Sequence, residues 1–203
     1  MDPRFFEREA YRRGYGLVSG IDEVGRGPLA GPVVAAAVIL PRHVELPEVK
    51  DSKDLTAAQR DACCTDILAC ASAVGIGCVE AVEIDRVNIL QATFKAMLQA
   101  VEKLTVQPDF LLIDGPYTLP SPIPQKGIPQ GDQRSLTIAT ASIVAKVKRD
   151  RVIEKFDLIF PGYSFKKNKG YGTSEHINAI KNIGPSPIHR KTYEPVAGLI
   201  DKK

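Results

Sequence analysis

Gly16-Leu17-Val18-Ser19-Gly20-Ile21-Asp22-Glu23-Val24-Gly25-Arg26-Gly27-Pro28-Leu29-Ala30-Gly31-Pro32, with the apolar run from Val33 through Leu40 behind it, is the stretch on which the fold turns. An apolar run ends at Asp22, glycine and proline crowd positions 25–32, and a second apolar run follows. That order predicts a strand over 16–22, a turn, and a second strand over 33–40, joined as a hairpin. Downstream, Thr56-Ala57-Ala58-Gln59 has the form of a capping box and predicts a helix from there to about Ala71. Residues 73–81 read as a further strand. Over 83–104 the apolar residues Val87, Leu90, Phe94, Met97, Leu98 and Val101 recur at helical spacing.

Phe110-Leu111-Leu112-Ile113-Asp114-Gly115-Pro116 is a buried-type strand stopped by Asp-Gly-Pro. A loop rich in proline and glycine is expected over 117–131 and a helix over 135–156, with Lys148, Arg149 and Arg151 snorkelling outward. A lysine-rich loop over 166–169 and a short helix over 174–182 complete the reading, with Gly184 closing that helix. Strands alternating with helices predict an α/β fold, a mixed central sheet flanked by helices.

At 203 residues the chain fits one domain with a substantial core, and its 44% hydrophobic and 25% charged residues are ordinary for a globular protein. No apolar run approaches the roughly 18 residues of a membrane span, and the first residues lead into charge rather than a signal-peptide core, so a cytoplasmic protein is expected. Cys63, Cys64, Cys70 and Cys78 form no C-x-x-C pair and read as reduced packing thiols. Residues 126–203 hold 15 Lys and Arg against 7 Asp and Glu, a balance that suits a polyanion lying across an acidic centre.

Asp22 and Asp114 each end an apolar strand, where a charge is expensive unless solvated or liganded and where α/β sheets bind ligands. Asp132 follows Gly131 shortly before the 135–156 helix, and capping that helix competes evenly with a role in catalysis. Glu23 shares a site with Asp22 only if the strand ends or bulges, because neighbouring side chains point to opposite faces. Clustered carboxylates with no histidine or cysteine nearby in sequence make an all-oxygen donor set, which selects Mg²⁺ or Mn²⁺ over zinc.

Gly25 and Gly27 free the backbone around Arg26 to approach a ligand, although an ordinary hairpin turn with a solvent-facing arginine is the simpler reading. Lys53, Lys146, Lys166, Lys167 and Lys169 are candidate phosphate contacts, and each alone reads as a surface lysine. Tyr171, between Gly170 and Gly172, is placed to stack on a sugar or base. His176 and His189 either serve a carboxylate or cap the fold.

These residues carry a resemblance. Gly20 through Gly31 resembles the first motif of bacterial ribonuclease HII, of the type 2 ribonuclease H family. Asp51-Ser52-Lys53 with Leu55 resembles its second segment, Ile113-Asp114-Gly115 its third, and Gly131-Asp132 with residues 138–150 its fourth. Lys169-Gly170-Tyr171-Gly172-Thr173, His176, His189-Arg190 and Pro195-Val196 are similar to its C-terminal part. The resemblance implies a ribonuclease H-like catalytic domain over 1–160, with a C-terminal helical extension over 161–203 that packs on it and contributes to substrate binding. It implies an endonuclease that hydrolyses the RNA strand of RNA–DNA hybrids and nicks 5′ of ribonucleotides embedded in duplex DNA, leaving 3′-hydroxyl and 5′-phosphate ends. Asp22, Glu23, Asp114 and Asp132 then become the catalytic acids, holding two Mg²⁺ or Mn²⁺ ions. Gly25-Arg26-Gly27 becomes the sensor of the ribose 2′-hydroxyl, Tyr171 the residue against the adjoining sugar, and Lys53 and Lys146 substrate contacts. A monomer with no membrane association is expected. The chain departs from the family pattern at Gly172, where many relatives carry proline, and at Thr140, within what is often an alanine run. The first departure bears on how firmly the Tyr171 loop is held.

Overall fold

In a computed structural model of the protein, residues 2–46, 49 and 55–200 are described. Among these residues five strands, β1 (Val18–Val24), β2 (Val33–Ile39), β3 (Ala73–Val79), β4 (Phe110–Asp114) and β5 (Gln125–Ile128), form one sheet in the order β3-β2-β1-β4-β5. The β1–β2 and β2–β3 pairs are antiparallel, as the hairpin reading requires, whereas β4 runs parallel to both β1 and β5. The α/β mixed sheet is therefore as expected, and β1 lies at its centre.

Among the described residues, eight α-helices surround the sheet: α1 (Phe5–Arg12), α2 (Ala57–Cys70), α3 (Ala81–Val87), α4 (Ile89–Glu102), α5 (Leu136–Ile159), α6 (Phe165–Asn168), α7 (Ser174–Ile183) and α8 (Val196–Ile200). The apolar run of β2 is continuous because both its faces are covered. Val33, Ala35, Ala37 and Ile39 join Ala92, Ala96, Met97 and Ala100 of α4 in one core. Ala36 and Val38 join Cys63, Cys64 and Ile67 of α2 and Ala141, Val144 and Ala145 of α5 in another. On that second face α5 lies so close to β1 that a Cβ on Gly20 would stand 2.2 Å from the Thr137 carbonyl carbon, so only glycine fits there.

Several expectations are corrected. The single helix expected over 83–104 is two, because Asn88 takes φ 70° and caps α4 by accepting from the N–H groups of Leu90 and Gln91. The loop expected over 117–131 contains β5, a four-residue edge strand that β4 supports through backbone pairing rather than through its own apolar pattern. Residues 165–168 form one helical turn rather than a loop. Helix α1 precedes the first strand, and its Glu7 carboxylate, nearly fully buried, accepts from the Ser135 hydroxyl at 2.7 Å, the Thr137 N–H at 2.9 Å and the Thr137 hydroxyl. An acid at the N-terminus of α5 satisfies donors that the helix leaves unpaired. The Thr56–Gln59 capping box at the start of α2 is present as expected.

Residues beyond 160 close a third core, in which Tyr163, Phe165, Ile180 and Val196 pack with Leu29, Ala30 and Ile153. Among the described residues, no helix is long and apolar enough to cross a membrane.

Candidate active site

Asp22, Glu23 and Asp114 each place one carboxylate oxygen within 4.8 Å of the others. The expected condition for this, a strand end or a bulge at Asp22, is not how it happens. β1 continues against β2 through Val24 in unbroken register, with Asp22 opposite Ala36 and Glu23 opposite Ala35. Against β4, however, pairing stops at Ile21 opposite Ile113. Past that point the sheet opens between β1 and β4. Asp22 emerges on the face covered by α5, with Ser142 beside it, and Glu23 on the face covered by α4, near Leu90, Thr93 and Phe94. Their carboxylates meet at this opening with that of Asp114, the last residue of β4.

Without a cation the cluster is electrostatically costly. Burial, then the charges of Glu23 and Asp114, pushes Asp22 well above the usual carboxylate range; the Ser142 hydroxyl and the Glu23 N–H, 2.7 Å from Oδ1, pull the other way. Burial also raises Glu23, opposed by Arg26, whose Nη1 lies 3.1 Å from Glu23 Oε1. Asp114 is raised by burial and by Asp132, and lowered by the Gly131 N–H at 2.6 Å. Crowded, desolvated oxygens with one partly exposed guanidinium for company fit a hard divalent cation, and no histidine or cysteine enters the set.

Asp132 stands beside this triad. It lies in a short 3₁₀ turn, Gly131–Gln133, with its N–H 3.4 Å from Asp114 Oδ1. The capping alternative is removed, since Ser135 caps α5 by accepting from the Ile138 N–H. Lys146 lies one helical turn beyond Ser142, on the same side of α5, but its Nζ is paired with Asp150 at 2.8 Å. Lys53 lies outside the described residues.

The loop from Gly25 to Pro32 is held through its carbonyls. Arg190, fully buried, donates to Gly25 O at 2.5 Å, Arg26 O at 2.7 Å and Gly31 O at 2.9 Å. Arg149, also fully buried, donates to Pro32 O, Lys169 O and Ala30 O at 3.0–3.2 Å. Gly25 adopts φ 96°, and a side chain there would collide with Arg149, 2.3 Å from its Nε. Among the described residues, the N–H groups of Gly25, Arg26 and Gly27 donate to no protein acceptor. Tyr171 is 43% exposed, and its Cε1 lies 3.9 Å from where a Cβ on Gly27 would be. Its carbonyl accepts from the Thr173 N–H at 2.8 Å and faces His176 Nδ1 at 2.8 Å, so the segment is tied down with Gly172 in place of proline.

Arg149 corrects the expectation that it snorkels outward. Ile138, Ala141, Ala145, Arg149 and Ile153 recur every three or four residues on the buried stripe of α5. That periodicity was a usable signal, since a charge on an apolar stripe needs buried acceptors. Ser142 had no comparable signal, and Arg190 had only the resemblance of His189-Arg190 to the family's C-terminal part. Burial lowers both guanidinium pKa values, that of Arg149 to about 10, which leaves it protonated at neutral pH.

A model of the ribonuclease HII family matches residues 19–196. The ribonuclease HII of Syntrophobacter fumaroxidans is 63% identical over 193 residues, covering 95% of this chain and 83% of that protein. That of Geobacter metallireducens is 56% identical over 191 residues, covering 94% and 90%. The crystal structure of ribonuclease H2 from Pyrococcus horikoshii superposes with a TM-score of 0.79 at 25% identity, covering 92% of this chain and 98% of that one. A structure of Bst-RNase HIII in complex with Mn²⁺ gives a TM-score of 0.68 at 15% identity, covering 92% and 70%, and shows a shared fold. The acid cluster thus sits in a chain that the match covers from β1 to α8, and the chain belongs to the ribonuclease HII family: it is a ribonuclease H, an endonucleolytic hydrolase of the class that cuts RNA paired with DNA.

Proposed function

We propose that this enzyme hydrolyses the RNA strand of RNA–DNA hybrids and also nicks duplex DNA on the 5′ side of a single embedded ribonucleotide, leaving a 3′-hydroxyl and a 5′-phosphate. The observation that carries the reading is the meeting of the Asp22, Glu23 and Asp114 carboxylates beside a glycine loop held through the carbonyls of Gly25, Arg26, Ala30, Gly31 and Pro32. Asp22, Glu23, Asp114 and the adjacent Asp132 hold two Mg²⁺ or Mn²⁺ ions. When bound, such a pair supplies a hydroxide-like nucleophile at neutral pH and positive charge for the departing 3′-oxygen.

The chain's own residues do the rest. Crowding and burial place the acids where a cation relieves them, so the site is organised before ions arrive. The N–H groups of Gly25, Arg26 and Gly27 and the Arg26 side chain meet the ribose 2′-hydroxyl and its phosphates, which distinguishes RNA from DNA at the cut. Tyr171 packs on the neighbouring sugar. Lys146, and Lys53 beyond the described residues, contact the phosphate backbone. The segment over 161–203 completes the binding surface on the catalytic domain over 1–160, in a monomeric cytoplasmic enzyme.

The test is incubation with duplex DNA carrying one ribonucleotide, with Mg²⁺ and Mn²⁺ supplied separately. A nick 5′ of the ribonucleotide is expected with at least one ion. Cutting confined to long RNA tracts would overturn the single-ribonucleotide activity, and binding without cutting would overturn catalysis by these acids.

A further inference from the structure

His176, His189 and Arg190 have no part in this reading, and all three are buried. Hydrogen-bond geometry fixes the protons of the histidine pair. The Ser186 N–H donates to His189 Nδ1 at 2.8 Å, so Nδ1 bears a lone pair and the His189 proton is on Nε2. That Nε2 lies 3.0 Å from His176 Nε2, which must therefore accept. The His176 proton is then on Nδ1, and it is given to the carbonyl of Tyr171 at 2.8 Å. The result is a one-way chain of neutral imidazoles ending on Tyr171, walled by Tyr163 and Phe165. Burial, then the neighbouring His176, lowers the His189 pKa to about 4, in keeping with a pair that stays neutral.

The residue after His189 reaches the other way. Arg190 donates to the carbonyls of Gly25, Arg26 and Gly31, and the Tyr193 hydroxyl adds a bond to Arg26 O at 3.0 Å. Two backbone bonds join the same parts: Leu29 N–H to Gly170 O and Arg190 N–H to Leu29 O, both 2.8 Å. One dipeptide therefore holds the Tyr171 segment by one side chain and the Gly25-Arg26-Gly27 loop by the next.

We infer that His176, His189 and Arg190 are positioning residues that lock Tyr171 and the glycine loop into a single rigid reader, and that this rigidity is what permits action at one isolated ribonucleotide. The inference rests on the proposed recognition roles of that loop and Tyr171. Its physical basis is register. A continuous hybrid presents a 2′-hydroxyl at every step, so a loosened reader still meets one; an embedded ribonucleotide offers a single productive register, and a displacement of about 1 Å forfeits it.

The test compares kcat/KM on duplex DNA with one ribonucleotide and on a continuous RNA–DNA hybrid for wild type, His176→Phe, Arg190→Lys and the double variant. His176→Phe keeps the ring volume in an aromatic setting, and Arg190→Lys keeps the charge but not the planar fork. Each single variant is expected to lose at least tenfold on the embedded ribonucleotide and at least fivefold more there than on the hybrid. The Mn²⁺ concentration for half-maximal rate should be unchanged, and the double variant should be within about threefold of the worse single one, because both act through the same body. Equal losses on both substrates, additive losses, or wild-type rates in folded variants would overturn the inference. If Arg190→Lys fails to fold, His176→Phe decides alone. A wild-type enzyme that ignores the embedded ribonucleotide defeats the functional proposal itself, an outcome separate from equal losses in variants of a competent enzyme.

Discussion

The acid cluster and the arginine-held loop lie side by side and bury charge in opposite ways. At the ends of β1 and β4, three carboxylates crowd together and burial raises all three pKa values. Next to them, Arg149 and Arg190 are buried as deeply, yet each is surrounded by carbonyl oxygens at hydrogen-bonding distance. A group left in electrostatic debt binds something that relieves it, whereas a group whose every nitrogen is already bonded to the protein is part of the frame. The comparison sorts buried charge into chemistry and scaffold.

Removing one charge from each side should therefore move stability in opposite directions. Asp22→Asn should lower the cleavage rate by roughly a thousandfold or more, a loss of about 4 kcal/mol of transition-state stabilisation. The same substitution relieves repulsion in the metal-free protein, whose melting temperature should rise by about 2–4 °C for each kcal/mol relieved. A folded, active Asp22→Asn variant would sink the assignment of Asp22. On the other side, Arg149→Met should destabilise by about 3 kcal/mol, because the carbonyls of Pro32, Ala30 and Lys169 lose a donor. Chemical denaturation of both variants without metal shows whether the signs differ; equal signs would break the contrast.

A smaller effect is expected from pH. His189 has a folded pKa of about 4, below its ordinary value of 6.5. Between those values the unfolded chain binds a proton that the native protein refuses, so the stabilisation is complete above pH 6.5 and is lost as pH falls towards 4. Melting curves from pH 7.5 to 5, run on wild type and His189→Gln so that the oppositely titrating carboxylates are common to both, should show a steeper decline in wild type. A decline unchanged in that variant would place the titration elsewhere.

The same contrast marks what was legible in the chain. β1, β2, β4 and α2 announce themselves through apolar runs or a capping box, because local pattern and tertiary role agree there. β5 does not, since Gln125-Lys126-Gly127-Ile128 carries no apolar alternation and is a strand only by pairing with β4. The break at Asn88 hides within a helical periodicity that continues on both sides of it. Of the site, Asp22 and Asp114 are readable as charges ending apolar strands. The meeting of Asp22 with Glu23 is not, because it depends on where β1 and β4 part. Arg190 lies in a segment with no periodic pattern, and nothing local distinguishes it from a surface arginine.

One helix touches both sides. α5 passes Ser142 beside Asp22 and, seven residues later, Arg149 behind the glycine loop. Two turns of α-helix span about 10.5 Å, a length that cannot be stretched without breaking backbone bonds. In the proposed function, the cutting groups and the reading loop are thus mounted on a common gauge, graduated in helical turns. On that proposal, nucleic acids of any sequence meet the same offset between the base step that is read and the bond that is cut.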